Sequence, residues 1–264
     1  MKKTLLIIDP QVDFCMPGGA LYVKNADVDM QKLSSFITEN AEQIDSIIIS
    51  LDMHNLEHIA HSIYWVNSKG EHPAPFTSIT LDDVKTGVWK ANNPKMQSHV
   101  LYYLEQLESN GNFTHTIWPN HCIAGTQGSN IFPPLLVALK GWMEVNKKTF
   151  TTYIKGMNPT SEQFGIFKQE VKTGDDEGEF NHNLFYSLFG SKSEVLVSGQ
   201  AKSHCVATSL KQIAETHPDF VKQITLLSDT TSNVVGCENI ADEIYKELRE
   251  LGMDELTTLE IFKK

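Results

Sequence analysis

The chain has 264 residues, of which 41% are hydrophobic and 21% charged. This length is sufficient for one substantial hydrophobic core, and the composition is that of a globular protein. The formal net charge of -11 argues against a nucleic-acid partner, because such binding depends on Lys and Arg side chains that neutralise phosphates. No apolar run approaches the ~20 residues of a transmembrane helix, so a membrane partner is not expected either.

The first residues and the cysteines indicate a cellular compartment. Two lysines and a short apolar run open the chain, but the run stops at Asp9-Pro10, too soon for a signal peptide. The four cysteines are widely spread and predict free thiols of a reducing compartment; they are Cys15, Cys122, Cys205 and Cys237. We therefore expect a cytoplasmic protein.

Short aliphatic runs alternate with segments of helical spacing. The predicted strands are 4–9, 46–52, 142–147, 193–199, 223–229 and 256–262. Apolar stripes at helical spacing lie in 28–41, 204–215 and 237–251. Nearly continuous apolar strands alternating with helices predict an α/β fold with a doubly wound, mainly parallel six-stranded sheet and helices on both faces.

The ends of the predicted strands indicate where a site would lie. Ligands of doubly wound sheets bind outside the carboxyl ends of the strands. Asp9, Asp52 and the turn 198–205 all lie at such ends, so we expect them to be neighbours. From about 55 to 116 the strand–helix rhythm breaks, apart from one predicted helix in 93–110. We interpret 55–116 as a long insertion within a single domain that spans 1–264.

Histidines accumulate after the second predicted strand. Asp52 and His54 are two residues apart, His58 and His61 follow, and His121 lies further along the chain. Imidazoles together with a carboxylate suit a catalytic Zn²⁺ or Fe²⁺ site. Spacing alone does not exclude a chance cluster, because the chain has ten histidines.

Cys205 is the candidate nucleophile. It lies where a strand ends and a helical stripe begins, and free backbone N–H groups at a helix start lower the pKa of a thiol and can bind an oxyanion. Asp9 is a candidate base, and the candidate cationic partners are Lys147, Lys148 and Lys155. Taken singly, a packed thiol, a turn-capping carboxylate and a solvated lysine are equally compatible with these residues.

Two aromatic residues lie close to these segments in the sequence. Phe14 follows the first strand, and Trp118 precedes Pro119 and His121. Both could flank a planar ring, although packing in the core is the more common role of such residues.

Five segments of the chain resemble the motifs of one family, in the same order. "LLIIDPQVDFCMPGGAL" resembles the opening motif, Asp-x-Gln-x-Asp-Phe. "DMHNLEH" and "WPNHCIAGTQGS" resemble the metal segments, "IKGMNPTSEQFGIF" resembles the lysine segment, and "SGQAKSHCVATSL" resembles the nucleophile segment. The family is that of the nicotinamidases and pyrazinamidases of the isochorismatase-like cysteine hydrolases.

The resemblance assigns roles to individual residues. It implies a catalytic triad of Asp9, Lys155 and Cys205, with Lys155 selected because Gly156 and the Phe164–Phe167 segment follow it. The metal ligands that it implies are Asp52, His54 and His121, and His58 matches a position that binds metal in some members only. It also implies an oxyanion hole of the Ala201 and Cys205 backbone N–H groups, a cis peptide between Gln200 and Ala201, and substrate contacts from Phe14, Trp118 and Gln200.

The same resemblance implies an activity. A member would convert nicotinamide to nicotinate and ammonia through a cysteine thioester, in NAD salvage. It would hold one divalent transition metal, with zinc expected first and iron or manganese as alternatives, and it would form a homo-oligomer. Departures such as Met53, Gly165 and Lys202-Ser203 leave open a cysteine hydrolase that acts on another small amide or carbamoyl compound. The alternative of another class is a non-catalytic binding or redox-sensing α/β protein.

Overall fold

A computed structural model describes residues 2–110, 114–174, 178–190 and 193–263. Its main sheet has six strands, all paired in parallel, in the order β5-β2-β1-β6-β7-β8. The strands are β1 (Lys2–Ile8), β2 (Ser46–Asp52), β5 (Thr151–Lys155), β6 (Ser193–Gly199), β7 (Ile224–Leu227) and β8 (Asp254–Leu256). A separate antiparallel pair consists of β3 (Trp65–Val66) and β4 (Lys90–Ala91). The predicted six-stranded doubly wound sheet is confirmed.

Helices cover both faces of this sheet. They are α1 (Val12–Cys15), α2 (Ala26–Glu39), α3 (Leu81–Lys85), α4 (Gln97–Ser109), α5 (Pro133–Asn146), α6 (His182–Phe189), α7 (Ala207–Thr216) and α8 (Asp242–Glu250). Helices α2 and α5 bury Met30, Leu33, Leu139 and Trp142 against one face. Helices α6, α7 and α8 pack on the other face. None of the helices in the described part of the chain is long and apolar enough to span a membrane.

Two strand predictions are wrong. Residues 142–147 belong mainly to α5, because Leu135, Leu139 and Trp142 lie on one helical face and Trp142 donates its indole N–H to the carbonyl of Ile44, 2.9 Å away. The strand of that region is β5, whose exposed residues at the sheet edge give a weaker apolar signal. At the C-terminus only Asp254–Leu256 is a strand, and the rest of 256–262 forms turns.

The C-terminal helix begins later than the apolar stripe in 237–251 predicts. Helix α8 starts at Asp242, and Ile240, counted within the stripe, is half exposed. The predicted helices in 28–41, 93–110 and 204–215 correspond to α2, α4 and α7. A single π-helical turn, Lys202–Val206, precedes α7 and carries Cys205.

The segment 55–116 has an apolar cluster of its own. Its buried side chains include Trp65, Ile79, Tyr103 and Leu104. Helix α4 packs against α3 and the β3–β4 pair within this cluster. The segment leaves the main sheet after β2 and returns close to the carboxyl ends of the strands, through the pairing of His61 with Trp118.

Candidate active site

The carboxyl ends of four neighbouring strands converge on one group of charged side chains. Asp9 follows β1, Asp52 ends β2, Lys155 ends β5, and Cys205 lies in the turn after β6. The parallel register pairs Asp52 directly with Lys155. This edge lies at the switch point between β1 and β6, where chain connections diverge and ligands of such sheets bind.

Lys155 lies at the centre of the group. Its Nζ is 3.0 Å from Oδ2 of Asp9 and 2.9 Å from Oδ1 of Asp52. The same ammonium donates to the carbonyl of Gln163 at 3.0 Å and lies 3.8 Å from Sγ of Cys205. The Asp9 carboxylate is also close enough to the Cys205 thiol to raise its pKa. The structure therefore brings the three predicted triad residues together and leaves Lys147 and Lys148 outside the group.

Burial and charge act in opposite directions on these pKa values. Burial alone would lower the pKa of Lys155, but the carboxylates of Asp52 and Asp9 outweigh burial and hold it well above the usual value. Burial would raise the pKa of Asp52, yet His54 and Lys155 hold it well below the usual range. For Asp9, burial outweighs Lys155 and the pKa is raised. Burial also raises the pKa of Cys205 well above that of a free thiol.

Ser50 positions Asp9, and the sequence analysis did not single it out. The Ser50 hydroxyl donates to Oδ1 of Asp9 at 2.6 Å and accepts the Asp9 backbone N–H at 3.1 Å. Asp9 itself has a φ of 47°, a left-handed conformation that side chains other than Gly rarely adopt. The residue two positions before Asp52 on a strand points to the same face, which is the signal that could have identified Ser50.

Gln11 and Asp13 of the opening motif hold the site's loops in place. The Gln11 side chain accepts the Asp52 N–H at 2.7 Å and donates to the Asp52 carbonyl at 2.5 Å. One oxygen of Asp13 accepts the Cys122 N–H at 2.7 Å, next to His121. The alternate residues of the motif thus fix the two segments that contain Asp52 and His121.

The predicted metal ligands form one buried group. Among the described residues, Asp52, His54 and His121 alone have potential ligand atoms that all lie within 4.8 Å of one another. Nδ1 of His54 donates to the Gly156 carbonyl at 3.0 Å, and Nδ1 of His121 donates to the Pro119 carbonyl at 2.8 Å. These carbonyls fix Nδ1 of each ring as a donor, and each Nε2 faces Oδ2 of Asp52, at 2.9 Å from His54 and 3.5 Å from His121. A metal bound between these atoms would replace the proton on Nε2. The donor set therefore fits a divalent transition metal.

Gly156 is required next to this group. It has a φ of 77°, and a Cβ there would lie 2.6 Å from Oδ1 of Asp52 and 2.9 Å from the His54 ring. Any other residue would push the ligands apart. The glycine that follows Lys155 in the sequence is therefore explained by close backbone approach.

Three more ionisable side chains surround the group, and all are buried: His58, His61 and Glu162. Burial lowers the pKa of His61 to about 3 and lowers that of His58 well below its usual value, so both rings are neutral. Burial raises the pKa of Glu162, against the opposing influence of His54. Glu162 lines the cavity beside Asp52 and His121 and had no signal in the sequence analysis beyond its place after Lys155.

A cavity of about 40 Å³ lies between Cys205 and the metal-ligand group. Cys205 and Ala201 line one side of it, Asp52 and His121 another, and Phe14 and Trp118 are the flanking aromatic side chains. The predicted cis peptide between Gln200 and Ala201 is present.

Gln200 is placed differently from the prediction. Its side chain donates to Oδ2 of Asp29 at 3.0 Å and accepts the Ser232 N–H at 3.2 Å, and it is not among the residues that line the cavity. Both ends of the amide are used to join α2 to the loop after β7. The sequence could not separate this structural role from substrate contact, because Asp29 is 171 residues away in the chain.

A wider cavity of about 530 Å³ lies outside the first. The two share Trp118, Phe164, His204 and Val234 as common walls. The outer cavity is lined mainly by apolar and threonine side chains, with Lys211 as a cation.

Comparison with known proteins supports the sequence resemblance. A nicotinamidase of Saccharomyces cerevisiae is 22% identical over 250 residues, which cover 94% of this chain and 95% of the relative. No protein-family model matches the chain.

Solved structures share the fold. The yeast nicotinamidase bound to the inhibitor nicotinaldehyde aligns with a TM-score of 0.64 and 19% identity over 97% of this chain and 99% of its own. The zinc complex of the Pyrococcus horikoshii pyrazinamidase aligns with a TM-score of 0.55 and 19% identity, over 97% of this chain and 99% of its own. An isochorismatase family protein from Desulfovibrio vulgaris aligns with a TM-score of 0.54 and 15% identity, over 99% of this chain and 97% of its own. The chain thus has the fold of isochorismatase-like hydrolases, and its similarity to a nicotinamidase extends over nearly its whole length.

Proposed function

We propose that this protein is a cysteine amidohydrolase that converts nicotinamide to nicotinate and ammonia, as a step of NAD salvage. The observation that carries the proposal is the position of Lys155, which contacts Asp9, Asp52 and Cys205. Of these contacts, Asp52 and Cys205 line a cavity flanked by Phe14 and Trp118. One side of this cavity offers a nucleophile, and the other offers ligands for a metal. A packed, non-catalytic cysteine would need neither.

The acylation half of the reaction begins at Cys205. Because burial raises the pKa of Cys205, the resting side chain is a neutral thiol and needs a base at the moment of attack. Asp9 accepts that proton, since it contacts the same Lys155 ammonium as the thiol and burial has raised its own pKa. The sulfur attacks the carboxamide carbon, the backbone N–H groups of Ala201 and Cys205 stabilise the oxyanion, and Asp9 protonates the amine that leaves as ammonia.

Deacylation reverses the proton transfers. A water enters where ammonia left, Asp9 removes its proton, and the oxygen attacks the thioester carbon. Nicotinate is released, and the proton returns from Asp9 to the Cys205 sulfur. Lys155 remains protonated throughout and stabilises whichever of Asp9 and Cys205 carries the negative charge.

The ring of the substrate would be held by its faces and its nitrogen. Phe14 and Trp118 would lie against the faces. A divalent metal bound by Asp52, His54 and His121 would coordinate the pyridine nitrogen and so orient the carboxamide towards Cys205. Zinc is the first candidate because it suits imidazole and carboxylate ligands, and iron and manganese are the alternatives.

A second candidate substrate is favoured by the outer cavity. Its volume of about 530 Å³ would admit a longer amide or carbamoyl compound than nicotinamide, with the extension beyond the Trp118–Phe164 wall. The chemistry at Cys205 would be the same.

The test is ammonia release from nicotinamide by the purified protein. We expect turnover by the wild type, and loss of at least about 10³-fold in kcat for Cys205→Ala, because the attacking atom is removed. Cys15→Ala is the matched control, since Cys15 is equally buried but packs in the opposite core and should retain activity. Release from a longer amide but not from nicotinamide would favour the second candidate. Full activity of Cys205→Ala would overturn both.

A further inference from the structure

Four histidine rings form one buried cluster beside Asp52. They belong to His54, His58, His61 and His121, and the distances between ring centroids run from 4.3 Å for the first two to 5.7 Å for the last two. All four side chains are almost completely buried. Only His54 and His121 belong to the group of metal ligands described above. The roles of the other two depend on which ring nitrogen carries the proton.

His61 has the same tautomer as the two ligands. Its Nδ1 lies 3.2 Å from the carbonyl oxygen of Leu56, and a carbonyl can only accept a hydrogen bond. Nδ1 therefore carries the proton of the neutral ring, and Nε2 has a free lone pair. Within the described residues, nothing hydrogen-bonds this buried Nε2. Its ring lies 5.3 Å from that of His54 and 5.7 Å from that of His121.

His58 has the opposite tautomer. The backbone N–H of Ala60 donates to its Nδ1 at 3.2 Å, so Nδ1 is unprotonated and the neutral ring carries its proton on Nε2. That nitrogen has no lone pair for a metal or for a hydrogen-bond donor. The ring of His58 is nearer to His54 than that of His61, yet its chemistry is wrong for this role.

We infer that His61 is a further residue of the metal centre, whose Nε2 accepts a hydrogen bond from a water bound to the metal. The inference rests on the metal site of the proposed function. Nε2 of His61 is not part of the group of ligand atoms within 4.8 Å of one another, although its ring centroid is 5.3 Å from that of His54 and 5.7 Å from that of His121. We therefore place one bridging water, and not a direct bond, between Nε2 and the metal. A buried, unpaired acceptor is costly, and a metal-bound water supplies the missing donor.

The test measures Zn²⁺ affinity, by competition with a chromophoric chelator, for the wild type and four variants. His61→Asn keeps an amide N–H at the position of Nδ1 for the Leu56 carbonyl but removes the acceptor at Nε2. His61→Leu removes both. We expect each to weaken Zn²⁺ binding by about 10- to 100-fold, the range for lost outer-shell partners of a metal site. His61→Gln restores an acceptor near Nε2 and should stay within about threefold of the wild type.

His58→Asn is the matched control, because its amide oxygen can still accept the Ala60 N–H. We expect its Zn²⁺ affinity to lie within about threefold of the wild type. Thermal unfolding of the metal-free proteins shows whether each variant folds. Unchanged affinity in His61→Asn, or an equal loss in His58→Asn, would overturn the inference, and so would failure of both His61→Asn and His61→Leu to fold. Absence of Zn²⁺ binding in the folded wild type would instead overturn the proposed metal site itself.

Discussion

The carboxyl end of the sheet and the core of the 55–116 insertion both bury a basic side chain, but the side chain at the sheet is charged and the one in the insertion is neutral. At the sheet, Lys155 is buried as a cation between the carboxylates of Asp9 and Asp52. In the insertion, His115 is buried as a neutral ring between Tyr103 and the Ile59 carbonyl. A buried charge is stable where parallel strands hold oppositely charged partners in register. A buried group without such partners is neutral because its pKa shifts.

The largest expected effect follows from removing the cation. Lys155→Met removes the cation that the buried carboxylates of Asp9 and Asp52 share, so we expect the free energy of unfolding to fall by about 3–5 kcal/mol and activity to be lost. Urea denaturation measures the first and ammonia release the second. Lys168→Met is the matched control, because the Lys168–Glu215 pair is solvent-exposed and should contribute less than about 1 kcal/mol. Equal losses in both variants would contradict the contrast between the two environments.

The sequence predicted the sheet end far better than the insertion. Asp9, Asp52 and Cys205 follow or end predicted strands, and strand ends of a parallel sheet meet by topology, so chain order was enough to bring these three together. Lys155 ends β5, a strand that the sequence pattern did not predict. Choosing Lys155 over Lys147 and Lys148 nevertheless required the motif resemblance. In the insertion, short strands and isolated aromatic residues have no period from which their packing could be predicted.

What the sequence could not supply is the direction of individual side chains. The contacts of Ser50, Gln11 and His61 are visible only in the structure, and Gln200 joins α2 to the loop after β7. Strand 142–147 was mistaken because an apolar run cannot distinguish a strand from a half-buried helix. The single-domain organisation over 1–264, the homo-oligomer and the cytoplasmic location stay predictions.

The neutral histidine of the insertion predicts a dependence of stability on pH. Burial lowers the pKa of His115 to about 4, from 6.5. As the pH falls, His115 therefore binds a proton in the unfolded chain before it does so in the folded protein. The contribution of the neutral ring to the free energy of unfolding is complete above pH 6.5 and is lost progressively as the pH falls to 4. A difference of about 2.5 pKa units corresponds to about 3 kcal/mol. We expect His115→Gln, which can still donate to the Ile59 carbonyl, to remove about this much of the pH dependence measured by urea unfolding.

Trp65→Phe is the control for that measurement. It removes the 2.6 Å hydrogen bond from the Trp65 indole to the same Ile59 carbonyl and lowers stability at every pH, but it keeps His115. Its pH dependence should match that of the wild type. If the stability of His115→Gln depended on pH as that of the wild type does, the His115 ring would not be held neutral by its surroundings.

The smallest expected effect tests whether the charged group at the sheet end is tuned by a neutral neighbour. Ser50→Ala removes the hydroxyl that donates to Asp9 at 2.6 Å. In the wild type, this hydrogen bond lowers the Asp9 pKa. We expect kcat to fall about 10-fold, near 1.5 kcal/mol, because a hydrogen bond to a charged group contributes about that much. The pKa of Asp9 rises further, so the acidic limb of the kcat/KM profile should move to higher pH.

Ser50→Thr, which keeps the hydroxyl, should restore both kcat and the position of the acidic limb. Ser198→Ala on β6, which lies on the other side of β1, should leave the limb in place, because the Ser198 hydroxyl donates to the Thr230 carbonyl instead. A limb that moves equally in Ser198→Ala would mean that loss of packing, and not the bond to Asp9, sets the pH dependence.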